Sequence, residues 1–131
     1  MPGIRRVATR YGYAMDANIR PITLFFSDLE GSTRLWEQYS GRMAEALARH
    51  DAMAIDLVDR HRGRLVKTTG DGVHAVFDDP ADGVAAALEF QRRIAVLAAE
   101  IGVPLRVRCG MHAGVAQSRD GDFYGSAVNR A

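Results

Sequence analysis

The chain has 131 residues and a mass of 14.3 kDa, enough for one domain with a real core and no room for a second. Hydrophobic residues make up 47% and charged residues 25%, which excludes a disordered chain. A formal net charge of +1 gives no electrostatic argument for a nucleic-acid partner, and the basic start (Arg5, Arg6, Arg10) reads as a solvated tail. Cys109 is the only cysteine, so neither an internal disulfide nor a cysteine-based zinc site is expected. No apolar stretch is long enough to span a bilayer and the N-terminus lacks a secretory core, so the cytoplasm is the expected compartment and no membrane partner is expected.

In chain order, residues 1–20 show no clear period and are expected to form a flexible leader broken off by Pro21, with the domain proper running from 21 to 131. Ile22 to Ser27 is a short apolar run bounded by Pro21 and Asp28, which predicts a buried strand. Glu30-Gly31-Ser32-Thr33 turns the chain, and Ser32 or Thr33 is placed to cap a helix. Met43, Ala46, Leu47, His50, Ala54, Leu57, Val58 and His61 form one helical stripe, with a break expected near Ser40-Gly41 and a stop at Gly63. Trp36 is expected as a core anchor of this region.

Arg64–Thr69 and Gly72–Phe77 read as two strands around Gly70-Asp71-Gly72, a hairpin signal. A second long helix follows Asp79-Pro80, with a stripe expected at Val84, Ala87, Leu88, Ile94, Leu97 and Ile101. Leu105 to Met111 reads as a strand in which Arg106 and Arg108 alternate with apolar residues, followed by a glycine-bearing loop at 112–115. The order β, α, β, β, α, β fits an α+β, ferredoxin-like antiparallel sheet with helices packed on one face, unfinished at the C-terminus.

Asp28 ends a buried strand beside a helix start whose backbone N–H groups can receive phosphate oxygens. Taken alone it reads as a strand end or turn cap, and Asp71 alone reads as a turn former. Their pairing is more informative. In a ferredoxin-like sheet the first strand is central, so the end of that strand and the tip of the hairpin converge, and two carboxylates beside a phosphate-binding turn suit a two-metal site.

Four blocks carry a resemblance. Leu24-Phe25-Phe26-Ser27-Asp28-Leu29-Glu30-Gly31-Ser32-Thr33 looks like the first metal motif of class III nucleotide cyclases, and Lys67-Thr68-Thr69-Gly70-Asp71-Gly72 resembles the second. Arg108-Cys109-Gly110-Met111-His112-Ala113-Gly114 is similar to the strand and turn that follow. Asp122-Phe123-Tyr124-Gly125-Ser126-Ala127-Val128-Asn129-Arg130-Ala131 resembles the family's dimer-arm and catalytic-helix motif.

The resemblance implies an adenylate cyclase that makes 3′,5′-cyclic AMP and pyrophosphate from ATP. It implies two Mg²⁺ or Mn²⁺ ions held by Asp28, Asp71 and the Leu29 carbonyl, with phosphate oxygens on the N–H groups of Gly31, Ser32 and Thr33. Lys67 and Asp122 fall on the purine-selecting pair, an ammonium for adenine N1 and a carboxylate for the N6 amino group. Asn129 falls on the asparagine that orients ribose and phosphate. In the family Lys67, Asp122 and Asn129 would face the metal aspartates of the opposite subunit, which implies a head-to-tail homodimer. The family's transition-state arginine stands four residues after that asparagine, past Ala131, and Val115 stands where some members carry a phosphate-contacting arginine. The alternative expectation is a weak or inactive cyclase-like module that binds nucleotide or dimerises within a signalling or transcriptional regulator. The four histidines lack zinc-ligand spacing and are expected in packing roles.

Overall fold

A computed structural model describes the backbone of residues 19–119 and 122–124, with side chains described from 21 to 115. Strands β1 (Ile19–Leu29), β2 (Arg64–Thr68), β3 (Gly72–Phe77), β4 (Val107–Arg119) and β5 (Asp122–Tyr124) alternate with helices α1 (Ser32–Gln38), α2 (Ser40–Arg60) and α3 (Pro80–Ile101). The sheet order is β2-β3-β1-β4-β5, every neighbour antiparallel. This is the expected ferredoxin-like α+β arrangement, with β1 at the centre of the sheet.

The side-chain alternation of β1 divides the sheet into two faces. Phe25 and Leu29 join the main core with α2 and α3, in which Phe25, Phe77 and Phe90 are fully buried. Burial of each such ring contributes about 1.5–3 kcal/mol. Ile22, Leu24 and Val76 form a smaller cluster with Phe26 and Val66 on the opposite face.

Several boundaries differ from the sequence expectation. β1 already begins at Ile19 and runs through Pro21, which lies on the stretch paired with β4 before pairing with β3 starts at Thr23. A proline with only one ladder neighbour costs little. The predicted loop at 112–115 is strand: β4 continues to Arg119 and pairs along the whole of β1.

The predicted stripe of α3 holds at Ile94 and Leu97, with Ala87 and Ile101 packed against the core, and fails at Val84 and Leu88 in the first turns. Gly83, Ala86, Phe90, Ile94 and Leu97 are buried, whereas Leu88 is 55% exposed. Small residues at 83 and 86 let the helix approach the sheet, a signal weaker in sequence than the larger Val84 and Leu88. Trp36 is 39% exposed and Leu35 takes the buried position of α1, so the tryptophan is no core anchor.

The α2 stripe is as expected, including His50, which is fully buried with its ring centroid 5.5 Å from that of Phe90 and Nδ1 2.9 Å from Asp51. The left-handed residue after α2 is Arg62 rather than Gly63. Among the described residues, no helix is long and apolar enough to cross a membrane.

Candidate active site

The central strand and the β2–β3 turn meet at one end of the sheet. Asp28 is opposite Gly72 in the β1–β3 register and opposite Arg108 in the β1–β4 register. The approach at Gly72 is close: a Cβ there would stand 1.9 Å from the Ser27 carbonyl oxygen, so only glycine lets the hairpin sit against β1. The Leu29 N–H then donates to the Asp71 carbonyl oxygen at 2.8 Å, and the Glu30 N–H to the Arg106 carbonyl oxygen at 2.8 Å. These two bonds fix the chain as it leaves β1.

Gly31, at φ 64°, makes the left-handed step into α1. No side chain caps this helix. The Ser32 hydroxyl, expected as a cap, instead donates to the Asp71 carboxylate at 2.9 Å. Asp71 is therefore held from both ends, its carbonyl by β1 and its carboxylate by α1.

Asp28 has a different partner. Arg108 Nε donates to Asp28 Oδ1 at 2.9 Å and the terminal guanidinium nitrogen Nη2 to Oδ2 at 2.8 Å, a two-point pairing. This bond, followed by the charge of Asp28, raises the Arg108 pKa. An open cleft of ≈ 560 Å³ runs past Asp28, Asp71, Thr69, His74 and Arg108. Phe26 and His74 form one wall of it, their rings edge to face with centroids 4.3 Å apart. Cys109, half-buried rather than buried, also borders it, and burial pushes its thiol pKa up.

Asp28, Leu29, Gly31, Ser32, Thr33 and Asp71 thus belong to one end of the fold. Lys67 lies on β2 beside a bulge, opposite His74 and exposed. The backbone of Asp122 starts β5, paired with Arg119, while its side chain and the whole of Asn129 lie outside the described residues. Val115 is part of β4 rather than of a turn. The sequence assigns no role in the site to Arg108 or to the His74–Phe26 wall. Alternation along β4 was visible, but only the register shows that Arg108 faces Asp28.

Two carboxylates and a main-chain carbonyl are all hard oxygen donors, which fits Mg²⁺ or Mn²⁺ and not a soft metal. Among the described residues no cluster of three or more His, Cys, Asp or Glu side chains stands ready for a metal.

The sequence pattern described as the adenylate and guanylate cyclase catalytic domain matches residues 15–131. The chain belongs to this family. An uncharacterized protein of Mycobacterium tuberculosis is 33% identical over 111 residues, covering 83% of this chain and 36% of that protein. The chain therefore spans about a third of that relative's length. The adenylyl cyclase CyaB from P. aeruginosa superposes with a TM-score of 0.76 over 86% of this chain and 69% of that one, at 24% identity, a likeness of fold. An adenylate cyclase of Trypanosoma brucei, solved in its monomeric state, gives a TM-score of 0.72 at 28% identity over 85% of this chain and 65% of that one. Cyclases of this family generally use divalent metal ions, and in this cyclase domain Asp28 and Asp71 both border the open cleft.

Proposed function

We propose that this cyclase domain acts on ATP, forming 3′,5′-cyclic AMP and pyrophosphate, as a head-to-tail homodimer with two shared sites. The observation that carries the reading is the convergence of Asp28 and Asp71 at neighbouring strand ends over one open cleft. In the reaction the ribose 3′-oxygen bonds to the α-phosphorus, the bond to the pyrophosphate oxygen breaks, and the hydroxyl proton is lost. Divalent cations, when bound, supply positive charge that favours the 3′-alkoxide and neutralises the triphosphate.

The protein's share is binding and orientation. Asp28, Asp71 and the Leu29 carbonyl would hold the metals, and the N–H groups of Gly31, Ser32 and Thr33 would receive phosphate oxygens. The choice of ATP over GTP rests on Lys67 and Asp122. An ammonium donates to adenine N1 and a carboxylate accepts from the N6 amino group, whereas guanine offers a donor and an acceptor at those two places. Asn129 would orient the ribose and reacting phosphate from the opposite subunit. The name of the Trypanosoma brucei relative, an adenylate cyclase, also supports the ATP reading.

The test is cyclic nucleotide production from ATP and from GTP with Mn²⁺, over a range of protein concentration. Cyclic AMP formation that rises more steeply than protein concentration and disappears in Asp28→Ala is the expected result. Failure to turn over ATP at any concentration, in folded protein, would sink the proposal.

A further inference from the structure

The two aspartates of the site are not equivalent. Across β1 at Asp28, one neighbour is Gly72, which has no side chain, and the other is Arg108, which engages both carboxylate oxygens at 2.9 and 2.8 Å. Asp71 is held by the neutral hydroxyl of Ser32. Among the described residues, one carboxylate thus has a guanidinium bonded to both of its oxygens, and the other accepts only from a neutral hydroxyl. Arg108 also lies within the fields of Glu30 and Asp71, so several negative groups favour the guanidinium at this end of the sheet.

A guanidinium using both carboxylate oxygens and a divalent cation using the same carboxylate compete for the same lone pairs. We propose that Arg108 is a positioning residue that serves as the internal counter-ion of Asp28. It holds this carboxylate in place and gives up at least one oxygen before Asp28 can ligate a metal, so it sets the metal affinity of the site. The proposal rests on the reading of Asp28 as a metal ligand.

Both partners are partly solvated, with side-chain exposures of 65% for Arg108 and 43% for Asp28, so the competition is modest. Exposed ion pairs of this kind shift an equilibrium by roughly two- to five-fold. Such a shift is large enough to decide metal occupancy where the free ion is near its dissociation constant.

The experiment is Mn²⁺ binding to the full chain without nucleotide, read from the loss of the free-ion electron paramagnetic resonance signal. Arg108→Gln should bind Mn²⁺ about two- to five-fold more tightly than the unaltered chain, and Arg108→Lys, which keeps the charge but loses the fork, should fall between. In the Asp28→Asn background the Arg108→Gln change should lose its tightening effect, since the carboxylate competed for is gone. Far-ultraviolet circular dichroism and urea midpoints establish that each variant is folded, and Arg108→Lys keeps the test open should Arg108→Gln fold poorly. Unchanged or weaker binding in folded Arg108→Gln and Arg108→Lys, with Asp28→Asn still weakening Mn²⁺, overturns this proposal and leaves the metal site standing. Equal binding by the unaltered chain and Asp28→Asn overturns both.

Discussion

The Ser32 hydroxyl donates to the Asp71 carboxylate at 2.9 Å, joining the first turn of α1 to the β2–β3 hairpin. Because the Leu29 N–H also donates to the Asp71 carbonyl, the hairpin tip cannot move without disturbing the exit from β1. The site is therefore a clamp between two segments that are remote in sequence, and its parts make separable predictions.

Ser32→Ala removes the bond that orients the Asp71 carboxylate while leaving its charge. Groups that orient a metal ligand typically contribute about 10–100-fold to metal affinity or activity. The expected outcome is a rise of about tenfold in the Mn²⁺ concentration needed for half-maximal cyclase activity, with a smaller change in the ATP requirement. Ser32→Thr, which keeps the hydroxyl, should recover most of it. A metal requirement unchanged in folded Ser32→Ala would mean that Asp71 needs no orienting partner.

Asp71→Ala goes further and removes a charge-bearing donor. Loss of one preorganised electrostatic group in an active site costs about 10²–10³ in rate, so activity with Mn²⁺ should drop by at least about a hundredfold. The urea midpoint should move little, because Asp71 lies in a turn at the rim of the cleft. Residual activity above a tenth of normal would exclude a ligand role for Asp71.

Gly72→Ala tests the approach of the hairpin to β1. The added methyl would meet the Ser27 carbonyl oxygen at 1.9 Å, and that obstacle is backbone, which has little room to give. Overpacking of a fitted position costs about 1–3 kcal/mol, so a clear fall in the urea midpoint is expected. Gly41→Ala is the control. It lies inside α2 with nothing within 4 Å of the new methyl, and it should stabilise by about 0.4–1 kcal/mol. If both variants melt alike, the close β1–β3 approach does not govern stability.

The sequence carried the architecture well where two periods differ. The apolar run Ile22–Ser27 and the α2 stripe through Met43, His50 and Leu57 are strong patterns, and both elements form, β1 extending past its run at each end. The convergence of Asp28 and Asp71 was also legible, because the topology puts β1 next to the hairpin. What sequence could not supply was register. Arg108 shows in the sequence only as a strand arginine alternating with apolar neighbours, and the β1–β4 pairing is what sets it opposite Asp28. The first turns of α3 differ from their pattern for a related reason: Gly83 and Ala86 are buried because they are small, whereas hydrophobicity alone favours Val84 and Leu88. Ser32 suits a helix cap by composition, but the carboxylate that captures it lies 39 residues away.

Away from the site, Glu89 on α3 ties the two long helices together, and this gives a pH dependence of stability. His61 Nε2 stands 2.7 Å from one carboxylate oxygen, while Arg60 and Arg93 engage the other. The hydrogen bond to His61, with the pairing to Arg60 and Arg93, holds the Glu89 pKa down from 4.5 to about 2. A carboxyl with a folded-state pKa below its unfolded value favours the folded state whenever it is ionised. Its contribution is complete above about pH 4.5 and fades as pH falls toward about 2. Glu89→Gln should therefore lower the urea midpoint near pH 7, and the gap to the unaltered chain should close progressively across that acid window. Equal gaps at pH 7 and below pH 3 would show that shape, not charge, is what Glu89 contributes, since a protonated carboxyl and an amide differ little in size.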